Sequence, residues 1–380
     1  MSRIQISTPS MGEEEWESVR ETIESGWLTQ GPKVAQFEKT FAARHGVGHA
    51  LATTSCTTAL HLMLAAAGIG EGDEVIVPSF TWVSTANAVM YAGATPILAD
   101  VDPMNYNISV EDVVRKLTGK TKAVIAVHLF GLCADIPGLR EALPDHIMIF
   151  EDAACAAGAS LGTTSAGSLG DAAAFSFHPR KSITTGEGGM LTTNNSDLAI
   201  KAAKMRNHGA EISEEERHNG AQPYILPEFN VLGYNYRMTD LQGALGLVQL
   251  AKLDHFISER NTWAQFYETT IIDIDWIQLP KRPDSGTHSW QSFVIRIIGS
   301  DAGARRNKLM IHMEENGIAT RPGTHAIHSL GYYQQQLRLT DADLPGSAIC
   351  RDTTMAIPLH NKMIEQDYLH VVEILKSVGN

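Results

Sequence analysis

Between Val75 and Phe150 short β-branched runs alternate with helical stretches, and that alternation most limits the folds open to the chain. The runs are Val75-Ile-Val-Pro78, Pro96-Ile-Leu-Ala-Asp100, Ala123-Val-Ile-Ala-Val127 and Ile147-Met-Ile-Phe150. Helical patterns lie near Thr58 to Ala67, Thr81 to Tyr91, Ser109 to Leu117 and Asp135 to Leu143. A β-α-β-α order predicts a mostly parallel sheet covered by helices on both faces, an α/β architecture. Two helices come first: Glu13 to about Ser25, with three acidic residues at its positive end and Gly26 as a stop, then Lys33 to His45, ending at Gly46. After Asn195 the pattern turns helical, over Ser196 to about Arg206 and Thr239 to about Tyr267, with the acidic EISEEER segment between them read as a solvated loop. Beyond Pro280-Lys-Arg-Pro283 lie one strand-like run, Ser292 to Ile297, and helices near Ala302 to Glu315 and Glu365 to Lys376. The expected division is therefore a large α/β domain over 1–250 and a small C-terminal α+β domain over 251–380.

Composition narrows the partners. The 380 residues carry 43% hydrophobic and 19% charged side chains, which excludes a disordered or disulfide-stapled chain. A formal net charge of -13 disfavours nucleic acid and anionic membranes, so an anionic ligand must be held by local donors. Cys56, Cys133, Cys155 and Cys350 contain no C-x-x-C pair, which predicts a reduced, cytoplasmic setting without a zinc knuckle. The opening residues lack an apolar signal core, and no apolar run approaches the roughly 18 residues of a spanning helix. No export or membrane segment is expected.

Four features carry chemistry. Phe175-Ser-Phe-His-Pro-Arg-Lys-Ser-Ile-Thr-Thr-Gly-Glu-Gly-Gly-Met190 reads as a strand, a Pro-broken loop with one lysine, and a Gly-rich return to another strand. Lys181 there is either a solvated loop residue or a Schiff-base amine, its proton affinity lowered by neighbouring Arg180. Asp152 ends an apolar strand, where open α/β sheets place their ligands, and either caps a turn or holds a ring nitrogen protonated. Thr54-Ser-Cys-Thr-Thr58 precedes an apolar helix and is an ordinary N-cap or a phosphate cradle. Trp82 follows a strand and is core, or stacks on a planar ring. Aldehyde, pyridine nitrogen, aromatic ring and phosphate together are the demands of pyridoxal phosphate.

With those residues in place, the chain resembles the DegT/DnrJ/EryC1/StrS family of sugar aminotransferases, a branch of the fold-type I pyridoxal-phosphate enzymes. The resemblance runs through Ser25-Gly-Trp-Leu-Thr-Gln-Gly-Pro32, Thr57-Thr-Ala-Leu-His61, Gly72 to Ser79, Gly93-Ala-Thr-Pro96, Glu151-Asp-Ala-Ala154, Phe175-Ser-Phe177 with Lys181, Thr184-Thr-Gly-Glu-Gly-Gly189 and Gly233-Tyr-Asn-Tyr-Arg-Met-Thr-Asp240. It implies a mostly parallel sheet of the seven-stranded type. It further implies that Lys181 tethers the cofactor, Asp152 pairs with the pyridine nitrogen, Ala154 packs under the ring and Trp82 covers it. Ser176, Cys56 and Thr57 would hold the phosphate, joined by Asn235 from the second subunit of a homodimer with shared active sites. Cys155 stands where the family usually has Gln, His or Glu, and Cys56-Thr57 where it often has Gly-Thr.

The resemblance also implies an amino donor such as glutamate and a nucleoside-diphosphate keto sugar as acceptor, in polysaccharide or O-antigen biosynthesis. Trp27, Thr29 and His128 are expected substrate contacts, and Thr320 to His328 offers Arg321, His325 and His328 at the mouth of the site. The H-x-x-H spacing there has no third ligand, so no metal is expected. The run Lys181-Ser-Ile-Thr-Thr-Gly-Glu-Gly-Gly189 resembles family members acting at C-4 more than those acting at C-3, which implies a 4-keto-6-deoxyhexose acceptor. A sugar dehydratase of the same fold, which replaces the lysine, and a non-catalytic pyridoxal-phosphate-binding regulator are the alternatives.

Overall fold

In the computed structural model, which describes residues 3–211, 224 and 226–378, the strands are β1 (His49–Thr53), β2 (Glu74–Pro78), β3 (Thr95–Ala99), β4 (Thr121–Val127), β5 (Met148–Asp152), β6 (Ser160–Leu161), β7 (Thr164–Ser165), β8 (Ala172–Ser176), β9 (Gly189–Thr193), β10 (Ile277–Gln278), β11 (Gly286–Thr287), β12 (Phe293–Ile297), β13 (Arg321–Pro322) and β14 (Thr354–Ile357). The main sheet has seven strands in the order β1-β9-β8-β5-β4-β2-β3. From β3 to β8 the neighbours run parallel, while β9 is antiparallel to both β8 and β1. The reversal has a local cause: β8 and β9 are joined by the lysine-bearing loop, whereas helices separate the strands from β2 to β5.

Continuous apolar runs serve two faces because successive side chains point to opposite sides. Ala123 and Ile125 of β4 join the core beneath α3 (Cys56–Ala66), while Val124 and Ala126 join the core on the other face. In β8, Ala172 and Ala174 pack with α3; Ala173 and Phe175 pack with α2 (Pro32–His45) and the long helix Asp240–Ile271. Each fully buried Val, Ile or Phe contributes about 1.5–3 kcal/mol relative to exposure.

The long helix starts at Thr239, whose hydroxyl accepts the Gln242 N–H while the Gln242 side chain accepts the Thr239 N–H. It crosses α2 closely enough to need glycines. A Cβ at Gly243 would lie 2.8 Å from the Val34 nitrogen, and one at Gly246 2.6 Å from the Phe37 ring. Asp240, 1% exposed, accepts the N–H groups of Gly31 and Val34 at 2.9 Å and of Lys33 at 3.1 Å. One carboxylate thus caps the N-terminus of α2 from two hundred residues away, which explains why the Gly-Pro and Met-Thr-Asp stretches meet.

A second sheet, in the order β10-β12-β14-β13, carries the small C-terminal core. The expected boundary at 250/251 falls inside the continuous helix Asp240–Ile271. That helix gives Leu250, Leu253, Phe256 and Ile257 to the large-sheet core and Ala264, Tyr267 and Ile271 to the small one. Ile4 also belongs to the small core, exchanging backbone bonds with Gly317 and Ala319 at 2.8 and 2.9 Å. Most of EISEEER lies outside the described residues. Among the described residues no helix is long and apolar enough to cross a membrane.

Candidate active site

A cavity of about 390 Å³ opens at the carboxyl ends of β4, β5 and β8. Ser55, Cys56 and Thr57 border it at the start of α3, Asp152, Ala154 and Cys155 after β5, and Ser176 and Lys181 after β8. The structure therefore brings the phosphate cradle, the strand-end carboxylate and the loop lysine into one space.

Each is held by local geometry. At α3, Ser55 and Thr58 satisfy one another: the Ser55 hydroxyl accepts the Thr58 N–H and the Thr58 hydroxyl accepts the Ser55 N–H. That closes the cap and leaves the Cys56 and Thr57 N–H groups, in the first helical turn, directed out of the helix end. A Cβ at Gly189 would sit 2.4–2.6 Å from Ser55 and Cys56, so glycine alone lets β9 approach this end. The lysine loop is pinned by its threonines. The Thr184 hydroxyl donates to the Phe177 carbonyl at 2.8 Å, the Thr185 N–H to the same oxygen at 3.0 Å, and the Lys181 N–H to the His178 carbonyl at 2.9 Å.

Lys181 Nζ donates to Cys155 Sγ at 3.2 Å, and the Cys155 carbonyl is held by the Ser289 hydroxyl at 2.9 Å. Burial pulls the Lys181 amine down, but the Cys155 sulfur that accepts its hydrogen bond and the nearby Asp152 carboxylate outweigh it and leave the amine above its ordinary value. The expected lowering by Arg180 is thus corrected: Arg180 is exposed, where solvent screens its charge, and sulfur and carboxylate surround the amine instead. Burial pushes the Cys56 thiol up, so it stays protonated beside Asp152. Asp152, 4% exposed, accepts the Thr85 hydroxyl at 2.7 Å on one oxygen and the Ala154 N–H at 3.2 Å on the other.

Trp82 is 56% exposed on the cavity wall, its ring 5.5 Å from that of His325. The 320–328 segment reaches the mouth because Thr81 donates to the His325 carbonyl at 3.1 Å and Ile327 to the Ser79 carbonyl at 2.7 Å. Arg321 lines the cavity and is exposed.

Of the expected substrate contacts only Arg321 is among the residues that line the cavity; His325 stands beside Trp82 at its mouth, and the others lie away from it. His128 is fully buried; its Nε2 lies 2.7 Å from Glu151 and its Nδ1 accepts the Ala134 N–H at 3.0 Å, so both ring nitrogens are engaged in the core. His328, 1% exposed, is held between the Ser79 hydroxyl at 2.7 Å and Asp341 at 3.0 Å. Both are structural here. Trp27, Thr29 and Asn235 lie outside the cavity of their own chain. Trp27 Nε1 donates to the Gln30 carbonyl at 3.2 Å, the Thr29 carbonyl accepts the Asp240 N–H at 3.2 Å, and exposed Asn235 is bridged to Asn207. The sequence reading missed Thr85, Glu187, Gln291, Ser292 and Thr324, and gave His178 no role, although Thr85, His178 and Glu187 stand inside or beside its motifs.

A nucleophilic amine, a buried carboxylate, a helix N-terminus and an exposed indole around one cavity match the aldehyde, ring nitrogen, phosphate and ring face of pyridoxal phosphate. The fold and donor set define a fold-type I pyridoxal-phosphate enzyme of the aminotransferase class. The chain belongs to the DegT/DnrJ/EryC1/StrS aminotransferase family, whose model matches residues 9–376, and it is a sugar aminotransferase that depends on pyridoxal phosphate. It is 39% identical over 376 residues to the spore coat polysaccharide biosynthesis protein SpsC of Bacillus subtilis (strain 168), covering 98% of this chain and 96% of that protein. It is 36% identical to the GDP-perosamine synthase of Caulobacter vibrioides, covering 100% and 99%. The crystal structure of the aminotransferase TlmJ from Streptoalloteichus hindustanus superposes with a TM-score of 0.90 at 30% identity, covering 99% of this chain and 98% of that one.

Proposed function

We propose that the enzyme moves an amino group from an amino acid, glutamate by family resemblance, to a nucleoside-diphosphate 4-keto-6-deoxyhexose, as a homodimer with shared active sites. The observation that carries this reading is the convergence of Lys181, Asp152 and the α3 N-terminus on a cavity that continues past them to Arg180 and Arg321. Apart from Lys181, the cofactor half of the cavity is lined by neutral and acidic groups, while Arg180 and Arg321 line the same cavity, and a diphosphate needs such compensation in a chain of net charge -13.

When bound, pyridoxal phosphate supplies an electron sink. Cys56, Thr57 and Ser176 would hold its phosphate through N–H and hydroxyl donors, Asp152 would face the ring nitrogen, and Trp82 and Ala154 would flank the ring. Lys181 would have two tasks: its Nζ is the covalent anchor and, once displaced, the base that takes the proton from the donor's α-carbon and delivers it to the carbon on the cofactor's side. Cys155 keeps that amine inside the cavity at 3.2 Å. Asn235, exposed and outside its own cavity, is suited to complete the phosphate site of a second subunit.

The similarity to a GDP-perosamine synthase supports a nucleotide-sugar substrate, and the resemblance of the Thr184-Thr-Gly-Glu-Gly-Gly189 run to family members acting at C-4 supports that carbon. The test is an assay of the holoenzyme with glutamate and paired 4-keto and 3-keto nucleotide sugars. Turnover of the 4-keto acceptor alone is expected; turnover of the 3-keto acceptor alone would move the reaction to the neighbouring carbon.

A further inference from the structure

We propose that Thr85 is a positioning residue, its hydroxyl locking the Asp152 carboxylate in the orientation that presents it to the cofactor's ring nitrogen. This deepens the site reading and rests on Asp152 being the ring-nitrogen partner. Thr85 is fully buried in the first turn of the helix Ser84–Tyr91. Its Oγ1 lies 2.7 Å from Asp152 Oδ2 and 3.2 Å from the Trp82 carbonyl. A hydroxyl has one proton to give, and the shorter contact is to the charged acceptor, so the proton goes to Asp152. The Trp82 carbonyl is served instead by the Thr85 N–H at 3.3 Å.

The other carboxylate oxygen is fixed independently, by the Ala154 N–H at 3.2 Å, with the Cys56 thiol 4.0 Å away. Among the described residues Thr85 is thus the one side-chain donor on Oδ2, Oδ1 is held by the Ala154 N–H and the weaker Cys56 thiol, and the carboxylate cannot turn about its Cβ–Cγ bond without breaking these bonds. Threonine suits the task because a β-branched side chain on a helix has few rotamers, so the donor itself is held still. Trp82, which lines the cavity, lies three residues earlier, just before the helix, and its carbonyl is tied to Thr85 by the Thr85 N–H.

Thr85→Val removes the donor and keeps the shape; Thr85→Ala removes it without a second methyl; Thr85→Ser retains it. The measurements are cofactor retention by the purified holoenzyme on dialysis and the nitrogen-15 resonance of ring-labelled pyridoxal phosphate in each holoenzyme. Loss of one hydrogen bond to a charged group corresponds to about a tenfold weaker retention. The valine and alanine variants should show that loss together with a resonance displaced toward the unprotonated ring, and the serine variant should track wild type. A purely structural role would lower the melting temperature of the cofactor-free protein and leave the resonance unmoved, and that pattern would overturn the proposal, as would wild-type retention in both variants. Asp152→Asn is the companion: if it too leaves the resonance and retention unchanged, the reading of Asp152 itself fails, whereas a change in Asp152→Asn without one in Thr85→Val refutes the role of Thr85 alone.

Discussion

The Lys181 amine lies 3.2 Å from the Cys155 sulfur, in a position where the family usually carries Gln, His or Glu. Sulfur is larger and softer than an amide oxygen, and it is held from behind by Ser289 through the Cys155 carbonyl. The contact makes the proton affinity of the Lys181 amine depend on Cys155.

Cys155→Ala should lower the affinity of Lys181 for its proton in the cofactor-free protein. Burial, which lowers the amine, would then be opposed by Asp152 without the help of Cys155. The sign for stability follows from the raised folded value: the contribution is fully present below the unfolded lysine value of about 10.4 and is lost as pH rises through the folded value. The stability difference between wild type and Cys155→Ala, read from denaturant midpoints, should therefore be constant near neutrality and shrink above about pH 10. A difference that grew with pH would contradict this.

Acid should destabilise the fold through buried neutral histidines. Burial lowers His45 to about 4 and His288 to about 3; His45 lies against Phe41 at 4.0 Å and His288 against Trp290 at 3.7 Å. Their folded values are depressed, so the stability they contribute is present above the unfolded value of about 6.5 and is lost as pH falls toward the folded ones. The expected loss is up to about 3 kcal/mol for His45 and up to about 5 kcal/mol for His288. His45→Gln should flatten that part of the midpoint-against-pH curve. An unchanged slope would show that His45 takes no part.

Asp240→Ala should cost about 2–4 kcal/mol in unfolding free energy, since it leaves three N–H groups at the start of α2 without their acceptor. Asp240→Asn keeps an acceptor and should cost less. Equal losses in urea titrations would point to packing rather than capping.

Arg321→Ala should raise KM for the nucleotide sugar about tenfold and leave the half-reaction with the amino donor unchanged, because the guanidinium stands at the cavity mouth, away from Lys181. Single-turnover kinetics with each substrate separate the two. A slower donor half-reaction would place Arg321 in the chemistry instead.

The sheet was legible because β2, β3, β4 and β5 are continuous β-branched or apolar runs between turn signals, and Gly26 and Gly46 end their helices with positive φ as the pattern implied. Thr354–Ile357 was not, since Thr-Met-Ala-Ile follows a helix without a break and is a strand only through pairing with β12 and β13. The domain boundary was misplaced because the apolar pattern of Asp240–Ile271 is unbroken while its partners change. That Lys181 and Asp152 border one cavity follows from their places at the ends of β8 and β5. His128 and His328 were misread because a polar side chain in a motif looks the same in sequence whether it faces a ligand or, like these two, meets a buried carboxylate or hydroxyl. Thr85 was invisible for the converse reason: its acceptor is 67 residues away.

Borohydride reduction of the holoenzyme followed by peptide mass mapping tests the site most directly. A phosphopyridoxyl group on the peptide containing Lys181, absent from Lys181→Ala, is the expected result. An adduct on a different lysine, or an active enzyme whose Lys181 stays unlabelled, would contradict the assignment of this amine as the cofactor's anchor.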